Sequence, residues 1–391
     1  MRNKKIALFM LAPLTQGGGA EKYFIDLARN ISGRGFEVDV ITMDEAFFGK
    51  FGRLLHVLVC GNFFRKIPVE GREKEESIKQ QLGGSNWIKS SWSNLSGTLS
   101  RYDIIYAKNE IVDLLLLKMI GYKKLPPVIV GVHTPVFYPS VKSLFSKLHN
   151  FLYQSFFYKW LLKGARCLHV SNKFTKDLVD RKFDVKSRLV YYPFSAKEIT
   201  KNSEENKVNI DFDKNKFNII FSGRLSEQKG VAPLANIIAA IGKRREVAKK
   251  IAVNIFGKGD EKSEKIILDL KKKYDFVQYY GHMENKFMPS ILNQQSLLIS
   301  TSLWETLPYN ILEAQALGLP VVAFDIPGPS DIVEKKTGFL VESEEEFAEK
   351  MISIVMGDVT FERREIIENV EKKFNPDKIY ADLLNMFEEN L

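Results

Sequence analysis

Three features of this 391-residue sequence predict an α/β protein made of two doubly wound domains. Short β-branched runs alternate with longer helical patterns, which is the signature of βαβ units and parallel sheets. The alternation occurs twice, on either side of a polar stretch at residues 197–207. The length exceeds one ordinary core, so two domains of about 150–200 residues are expected.

In the first half, residues 6–11 predict a strand and Thr15-Gln16-Gly17-Gly18-Gly19 a turn. Residues 21–32 predict an amphipathic helix, with Phe24, Leu27, Ala28 and Ile31 at helical spacing. Gly33 and Gly35 end it, and residues 37–42 form the next strand. Residues 44–100 read as loops and short elements. Strands are expected at 103–107, 128–132, 167–171 and 188–192, and helices at 110–120 and 141–163, the second long and aromatic. Pro126-Pro127 precedes a strand, where a missing N–H is tolerated.

These elements make residues 1–196 the first domain. Residues 197–215 are expected to be a linker, because they are almost free of apolar side chains. The second domain, 216–374, predicts strands at 217–222, 251–257, 277–280, 296–300 and 320–324. Helices are expected at 227–241, 263–274, 285–293 and 308–317. A last amphipathic helix, 375–391, begins with Pro376 and is expected to return to the first domain. In such folds ligands bind at the carboxyl ends of the strands, here facing a cleft between the domains.

Composition narrows the class. Hydrophobic residues at 45% suit a soluble protein with a large core. Cys60 and Cys167 can build neither a disulfide framework nor a metal-spaced pair, and read as buried thiols in a reducing compartment. Arg2, Lys4 and Lys5 followed by apolar residues 6–14 resemble a signal peptide only superficially, since the run flows into a glycine turn and a helix. No stretch reaches the roughly 18–20 apolar residues that span a bilayer, so a cytoplasmic location is expected.

Charge is unevenly spread. Residues 1–200 hold 31 Lys+Arg against 17 Asp+Glu, and residues 201–391 hold 26 against 31. The asymmetry points to an anionic partner for the first half. Within residues 136–166, Phe137, Tyr138, Phe145, Phe151, Tyr153, Phe156, Phe157, Tyr158 and Trp160 are interleaved with Lys142, Lys147, Lys159, Lys163 and Arg166. That mixture suits peripheral docking on an anionic membrane surface, although the same aromatics fit a helix packed beneath a sheet.

Two segments carry chemistry. In residues 221–230 a strand ends at Gly223, and Arg224 and Lys229 flank the start of a helix. A guanidinium and an ammonium beside a helix N-terminus make a diphosphate site; two solvated cations are the bland alternative. In residues 302–314 a strand leads through Glu305 to Pro308, suited to a first helical position, and on to Glu313. At about 1.5 Å per residue, the eight-residue interval spans roughly 12 Å if helical, comparable to a folded nucleotide diphosphate sugar. One carboxylate could accept from sugar hydroxyls and the other from ribose, with the N–H groups of Tyr309 and Asn310 meeting phosphates between them. Capping is the structural alternative for Glu305. Glu313 sits among apolar Ile311, Leu312 and Ala314, where a carboxylate needs a partner.

The spacing of Glu305 and Glu313, with Ala314, Gly318, Pro320-Val321-Val322 and Pro327-Gly328, resembles the signature of retaining glycosyltransferases of the GT-B fold, closest to glycosyltransferase family 4 (group 1). Gly18-Gly19-Ala20-Glu21, His133, Gly223-Arg224 with Lys229-Gly230, Gly257-Lys258-Gly259 and Gly281 fall in that family's order. The resemblance covers most of residues 1–43 and 103–391. It implies two Rossmann-like domains and a nucleotide diphosphate sugar donor with no cofactor and no metal. Arg224 and Lys229 would neutralise the leaving diphosphate, Glu305 hold the sugar, Glu313 the ribose, and His133 reach the sugar from the first domain. Gly18, Gly19, Gly223, Gly257, Leu307, Tyr309 and Asn310 complete the implied donor site. The acceptor would be a glycan or lipid-linked molecule, as in cell-surface polysaccharide synthesis. Asp211-Phe212-Asp213 is an Asp-x-Asp pair, but it lies beside the polar stretch and reads as a solvated loop. A nucleotide-sugar epimerase of the same fold is the main alternative. A nucleic-acid binder is remote: pI near 9.1 permits it, but no zinc spacing, RNP-like segment or lysine-rich tail supports it.

Overall fold

The computed structural model describes residues 3–14, 19–44, 72–137 and 144–391. The glycine turn through Gly18, together with Cys60, Tyr138 and Lys142, lies outside the described residues. The chain forms two compact units, Met1–Tyr191 with Lys378–Leu391, and Tyr192–Asp377.

The first unit holds a seven-stranded sheet in the order β3-β2-β1-β4-β5-β6-β7. Its strands are β1 (Lys4–Phe9), β2 (Phe36–Met43), β3 (Asn86–Ser90), β4 (Ile104–Lys108), β5 (Val128–Gly131), β6 (Cys167–Val170) and β7 (Ser187–Leu189). Every pairing is parallel. The buried parts of central strands, residues 6–9 of β1 and 104–107 of β4, are continuous runs without a charged residue because helices cover both faces. The second unit repeats the plan with six parallel strands in the order β10-β9-β8-β11-β12-β13. These are β8 (Phe217–Ser222), β9 (Ile251–Phe256), β10 (Val277–Gly281), β11 (Leu297–Ser300), β12 (Val321–Phe324) and β13 (Gly338–Val341). Ile219, Val253, Ile255 and Ile299 form its core with helix residues such as Leu234, Ile238 and Met351.

In each sheet the strand order reverses once beside the first strand of the unit, between β1 and β4 and between β8 and β11. The loops leaving those strands diverge to opposite faces and open a crevice at the carboxyl ends. In the second unit those loops carry Arg224 and Glu305.

Three expectations are corrected and a fourth is filled in. The polar stretch expected to be a linker is the helix Ala196–Glu205, capped by Ser195 Oγ accepting from Glu198 N at 3.3 Å. It is amphipathic: Ala196 and Ser203 are buried and Ile199 half-buried, a spacing of three and four hidden by short, polar side chains. In the segment 72–99, read as loops and short elements, the elements are the helices Arg72–Gln81 and Trp92–Leu99 around β3. The long helix expected at 141–163 is two, Leu144–Tyr153 and Phe156–Leu162, because Ser155 caps a new start by accepting from Tyr158 N at 3.2 Å. The strand expected at 188–192 is the three-residue β7.

The last helix, Pro376–Glu388, contributes Phe387 to the first unit, with ring centroids 6.4 Å from Phe36 and 5.9 Å from Tyr106. Arg188 and Glu389 close that contact with an ion pair at 2.6 Å.

Candidate active site

In the second unit the turns after β8, β9 and β10 are laced together by backbone bonds. Gly223 N donates to Phe256 O at 3.1 Å, Leu225 N to Lys258 O at 3.1 Å, and Gly257 N to Gly281 O at 2.7 Å. Gly257 has φ +141°, and a Cβ there would sit 1.8 Å from the Gly223 carbonyl oxygen. Only glycine lets the two turns approach this closely.

A cavity of about 370 Å³ opens above these turns. Arg224, Lys258, Asn310 and Glu313 line its polar side, and His282, Met283 and Met288 flank it. Asn310 Nδ2 donates to Ser222 O at 3.0 Å, which pins the first turn of the helix Tyr309–Ala316 to the end of β8. Pro308 precedes that helix as its N-cap residue. A helix start bordering a cavity with two cations favours an anion.

The switch-point loops are stitched to each other. Thr301 Oγ1 donates to the carbonyls of Lys229 and Gly230, each at 3.0 Å, and Leu303 N donates to Gln228 O at 2.8 Å. Across this seam Lys229 Nζ meets Glu305 Oε1 at 2.5 Å, with side chains 19% and 9% exposed. Glu305 also accepts from Ser302 Oγ at 2.8 Å. A Cβ on Gly328, in the loop after β12, would lie 3.0 Å from Glu305 Cβ, so glycine there leaves room for the carboxylate loop. Lys229 borders the cavity, since its Cε lies 3.5 Å from where a Gly223 Cβ would stand.

The second unit therefore gathers Gly223, Arg224, Gly257, Asn310 and Glu313 around one cavity, with Lys229 and Glu305 joined at its edge. Leu307 is buried, so its side chain belongs to the core. Tyr309 is exposed, 6.2 Å from the Phe194 ring, and does not line the cavity. Among the described residues no group of three or more His, Cys, Asp or Glu is arranged to hold a metal ion.

In the first unit Gly19 starts the helix Gly19–Ile31, and His133 follows β5. His133 belongs to a proton-ordered chain. His169 Nε2 lies 2.8 Å from the Val190 carbonyl and must donate to it, which leaves Nδ1 to accept from Tyr106 OH at 2.7 Å. The Tyr106 oxygen, 3.0 Å from His133 Nε2, then accepts from it. Burial lowers the His169 pKa to about 4; burial, then His169 and Lys108, hold that of His133 well below its ordinary value. Both rings are neutral at pH 7. Nearby, Lys108 Nζ lies 3.7 Å from Glu21 and 3.6 Å from Glu110. Burial pushes Lys108 down, but Glu110, Glu21 and Asp113 outweigh it and hold the ammonium above its usual range. Asp113 accepts from Leu11 N, and burial raises its pKa to about 7. Glu110 accepts from Thr134 Oγ1 at 2.6 Å and Tyr153 OH at 2.8 Å, so one buried cluster ties the ends of β1, β4 and β5.

Two family models match the chain in succession: "Glycosyltransferase Family 4" over residues 17–193 and "Glycosyl transferases group 1" over residues 202–373. The chain belongs to the group 1 glycosyltransferases. A Klebsiella pneumoniae relative, described as an uncharacterized 41.2 kDa protein in the cps region, is 32% identical over 40% of each chain. An Escherichia coli relative, a UDP-Gal:alpha-D-GlcNAc-diphosphoundecaprenol alpha-1,3-galactosyltransferase, is 28% identical over 62% of this chain and 63% of its own. The matched stretches thus cover less than two thirds of these relatives' lengths. Anabaena HepE in complex with UDP shares the fold, with a TM-score of 0.68 over 99% of this chain and all of that one, at 16% identity.

In this glycosyltransferase the cavity also has lining residues to which sequence patterns assigned no role. Lys258, quoted only as part of the Gly257-Lys258-Gly259 turn, adds a second cation to the cavity, and His282 and Met283 supply its other flank. Each follows the carboxyl end of a parallel strand next to a positive-φ glycine, Gly257 or Gly281. That position, rather than residue type, is the signal that could have found them.

Proposed function

We propose that this chain transfers a glycosyl group from a nucleoside diphosphate sugar to a glycan or lipid-linked acceptor, with retention of anomeric configuration. The observation that carries the reading is the cavity at the β8/β11 switch point, with Arg224 and Lys258 on its wall and Lys229 at its edge. Charge on the diphosphate grows as the glycosidic bond breaks, and fixed cations at a helix start favour that transition state over the ground state. Glu313 accepts from the ribose hydroxyls, and Glu305, held by Ser302, from the sugar. The cations stand where other transferases use a divalent metal, so activity persists in EDTA. Donors with a uridine base are the first to test, because the E. coli relative is named for UDP-Gal.

The test incubates the purified chain with a panel of nucleotide sugars, with and without glycan and lipid-linked acceptors. Nucleoside diphosphate release that requires an acceptor, with a mass gain of one sugar on it, is the expected result. Conversion of the donor to an epimer without any acceptor would replace this reading with that of an epimerase.

A further inference from the structure

Among the described residues, eleven large apolar side chains are more than a third exposed, and seven of them lie between Met119 and Phe174. The same part of the chain is acid-free: residues 114–176 contain ten Lys+Arg and no Asp or Glu. A surface patch that is both apolar and of a single sign is not expected of an idle face.

The helix Phe156–Leu162 explains how the two coincide. Tyr158, Leu161 and Leu162 turn inward and are buried. Phe156, Phe157 and Trp160 lie on the opposite face with Lys163 one turn on, and Phe156 is 83% exposed. Phe157 stacks on Trp160 at 5.8 Å, and Lys118 Nζ, from the helix Ile111–Ile120, sits 4.8 Å over the Trp160 ring. Lys118 also donates to the Lys163 carbonyl at 2.7 Å, so two cations share this edge. Burial, and after it the Lys163 charge, hold the Lys118 pKa below its ordinary value. The preceding helix, Leu144–Tyr153, turns His149 and Tyr153 inward and leaves Leu148 and Phe151 outward, Phe151 at 71% exposure. Two acidic groups meet this helix pair among the described residues: Asp184, paired with Lys159 at 2.9 Å, and Glu110, which accepts from the buried Tyr153.

We infer that this face docks on an anionic lipid bilayer, with Phe151, Phe156, Phe157 and Trp160 in the headgroup layer and Lys118, Lys163 and Arg166 against lipid phosphates. Charge complementarity selects the occupant. A second copy of the chain packed symmetrically here would set lysines against lysines, whereas an anionic surface pairs them. Each cation near such a surface contributes about 1 kcal/mol, and exposed aromatics add area that charge alone does not supply. No helix among the described residues is long and apolar enough to cross a membrane, so the attachment is peripheral and reversible. The inference does not depend on the donor chemistry.

Flotation of the purified chain with vesicles tests it directly. The chain should float with phosphatidylcholine vesicles containing phosphatidylglycerol, ignore phosphatidylcholine alone, and release in high salt. Tryptophan emission should shift to the blue on binding, and Trp160→Phe should lose most of that shift. The pair Phe151→Ser with Phe156→Ser removes two side chains that the fold leaves exposed, so Tm should hold while the partition coefficient falls at least tenfold, on the order of one buried Phe. Leu268→Ser, an exposed apolar residue of the second unit, is the control and should change nothing. Absence of binding at low salt, or binding unchanged by the Phe pair, overturns the inference. So does a concentration-dependent dimer in sedimentation equilibrium that the Phe pair abolishes, which would make the face a contact between copies.

Discussion

Replacing Glu305 by Gln should tighten binding of the nucleoside diphosphate product while slowing transfer. Lys229 is engaged by Glu305 at 2.5 Å, and both side chains are largely shielded from water. A diphosphate can recruit Lys229 only by sharing or replacing that contact, so its affinity is reduced by what the pair contributes. A hydrogen bond between charged groups is worth about 1.5–3 kcal/mol net. Glu305→Gln keeps an amide oxygen to accept from Lys229 but removes the charge, and it also removes a carboxylate beside the incoming anion. Affinity for the free diphosphate, measured by titration calorimetry, should therefore rise by about tenfold or more. Over the same substitution kcat/KM should fall, because the sugar loses an anionic acceptor at its hydroxyls. Lys229→Met acts in the opposite direction: it leaves a shielded carboxylate without its cation, with a cost of about 3–5 kcal/mol in stability for a fully buried pair. The double variant should regain much of that stability without regaining binding. Diphosphate affinity that is unchanged or weaker in Glu305→Gln would refute the reasoning, and would mean that Lys229 serves the fold alone.

Arg224 is exposed on the cavity wall, so Arg224→Ala should leave Tm unchanged and lower kcat/KM by about ten- to a hundredfold, measured with the best donor of the panel. Gly257→Ala should cost at least about 1–3 kcal/mol in stability and abolish diphosphate binding, because its Cβ would meet the Gly223 carbonyl and its φ is left-handed; equal Tm and affinity in the variant would mean that the turns adapt freely. Acidification should destabilise the chain through His169, which stays neutral in the folded state down to about pH 4 while its unfolded form takes up a proton below about pH 6.5. Asp113 opposes this, because its folded form binds the proton first as pH falls from about 7, at up to about 1.4 kcal/mol per pH unit. Asp113→Asn should therefore steepen the loss of Tm between pH 6.5 and 4, and parallel curves would sink that assignment.

The strand periods and switch-point motifs were legible because each has a local cause. β-branched runs mark buried parallel strands, and a glycine at a strand end marks a tight turn. What was not legible depends on helix phase and on position in the sheet. Tyr153 and Tyr158 are buried while Phe151, Phe156 and Phe157 are exposed, although all five are aromatic and close in sequence. One continuous helix sets a single phase across them; the cap at Ser155 resets it, and that cap looks like any serine in a helical pattern. The helix Ala196–Glu205 was hidden for a related reason: its inward positions are Ala, Ile and Ser, too small a stripe to stand out from seven polar neighbours. His282 and Met283 were invisible because only the sheet order brings β10 beside β9 and β8.

Net charge, by contrast, does not mark the proposed donor site. The proposed donor carries an anionic diphosphate, yet the cavity lies in the half of the sequence with more acidic than basic residues. An anion there is held by a few cations and a helix start within hydrogen-bonding distance, and contacts at that range outweigh distant carboxylates that water and salt screen. The excess of Lys and Arg in residues 1–200 therefore needs a different account. It is concentrated in an acid-free stretch in which Phe151, Phe156, Phe157 and Trp160 are exposed, and a diffuse anionic surface is the kind of partner that responds to summed charge rather than to a few placed donors. On the two proposals together, the halves would use positive charge at two ranges: in the second, a few cations around one small ligand; in the first, many spread over a face.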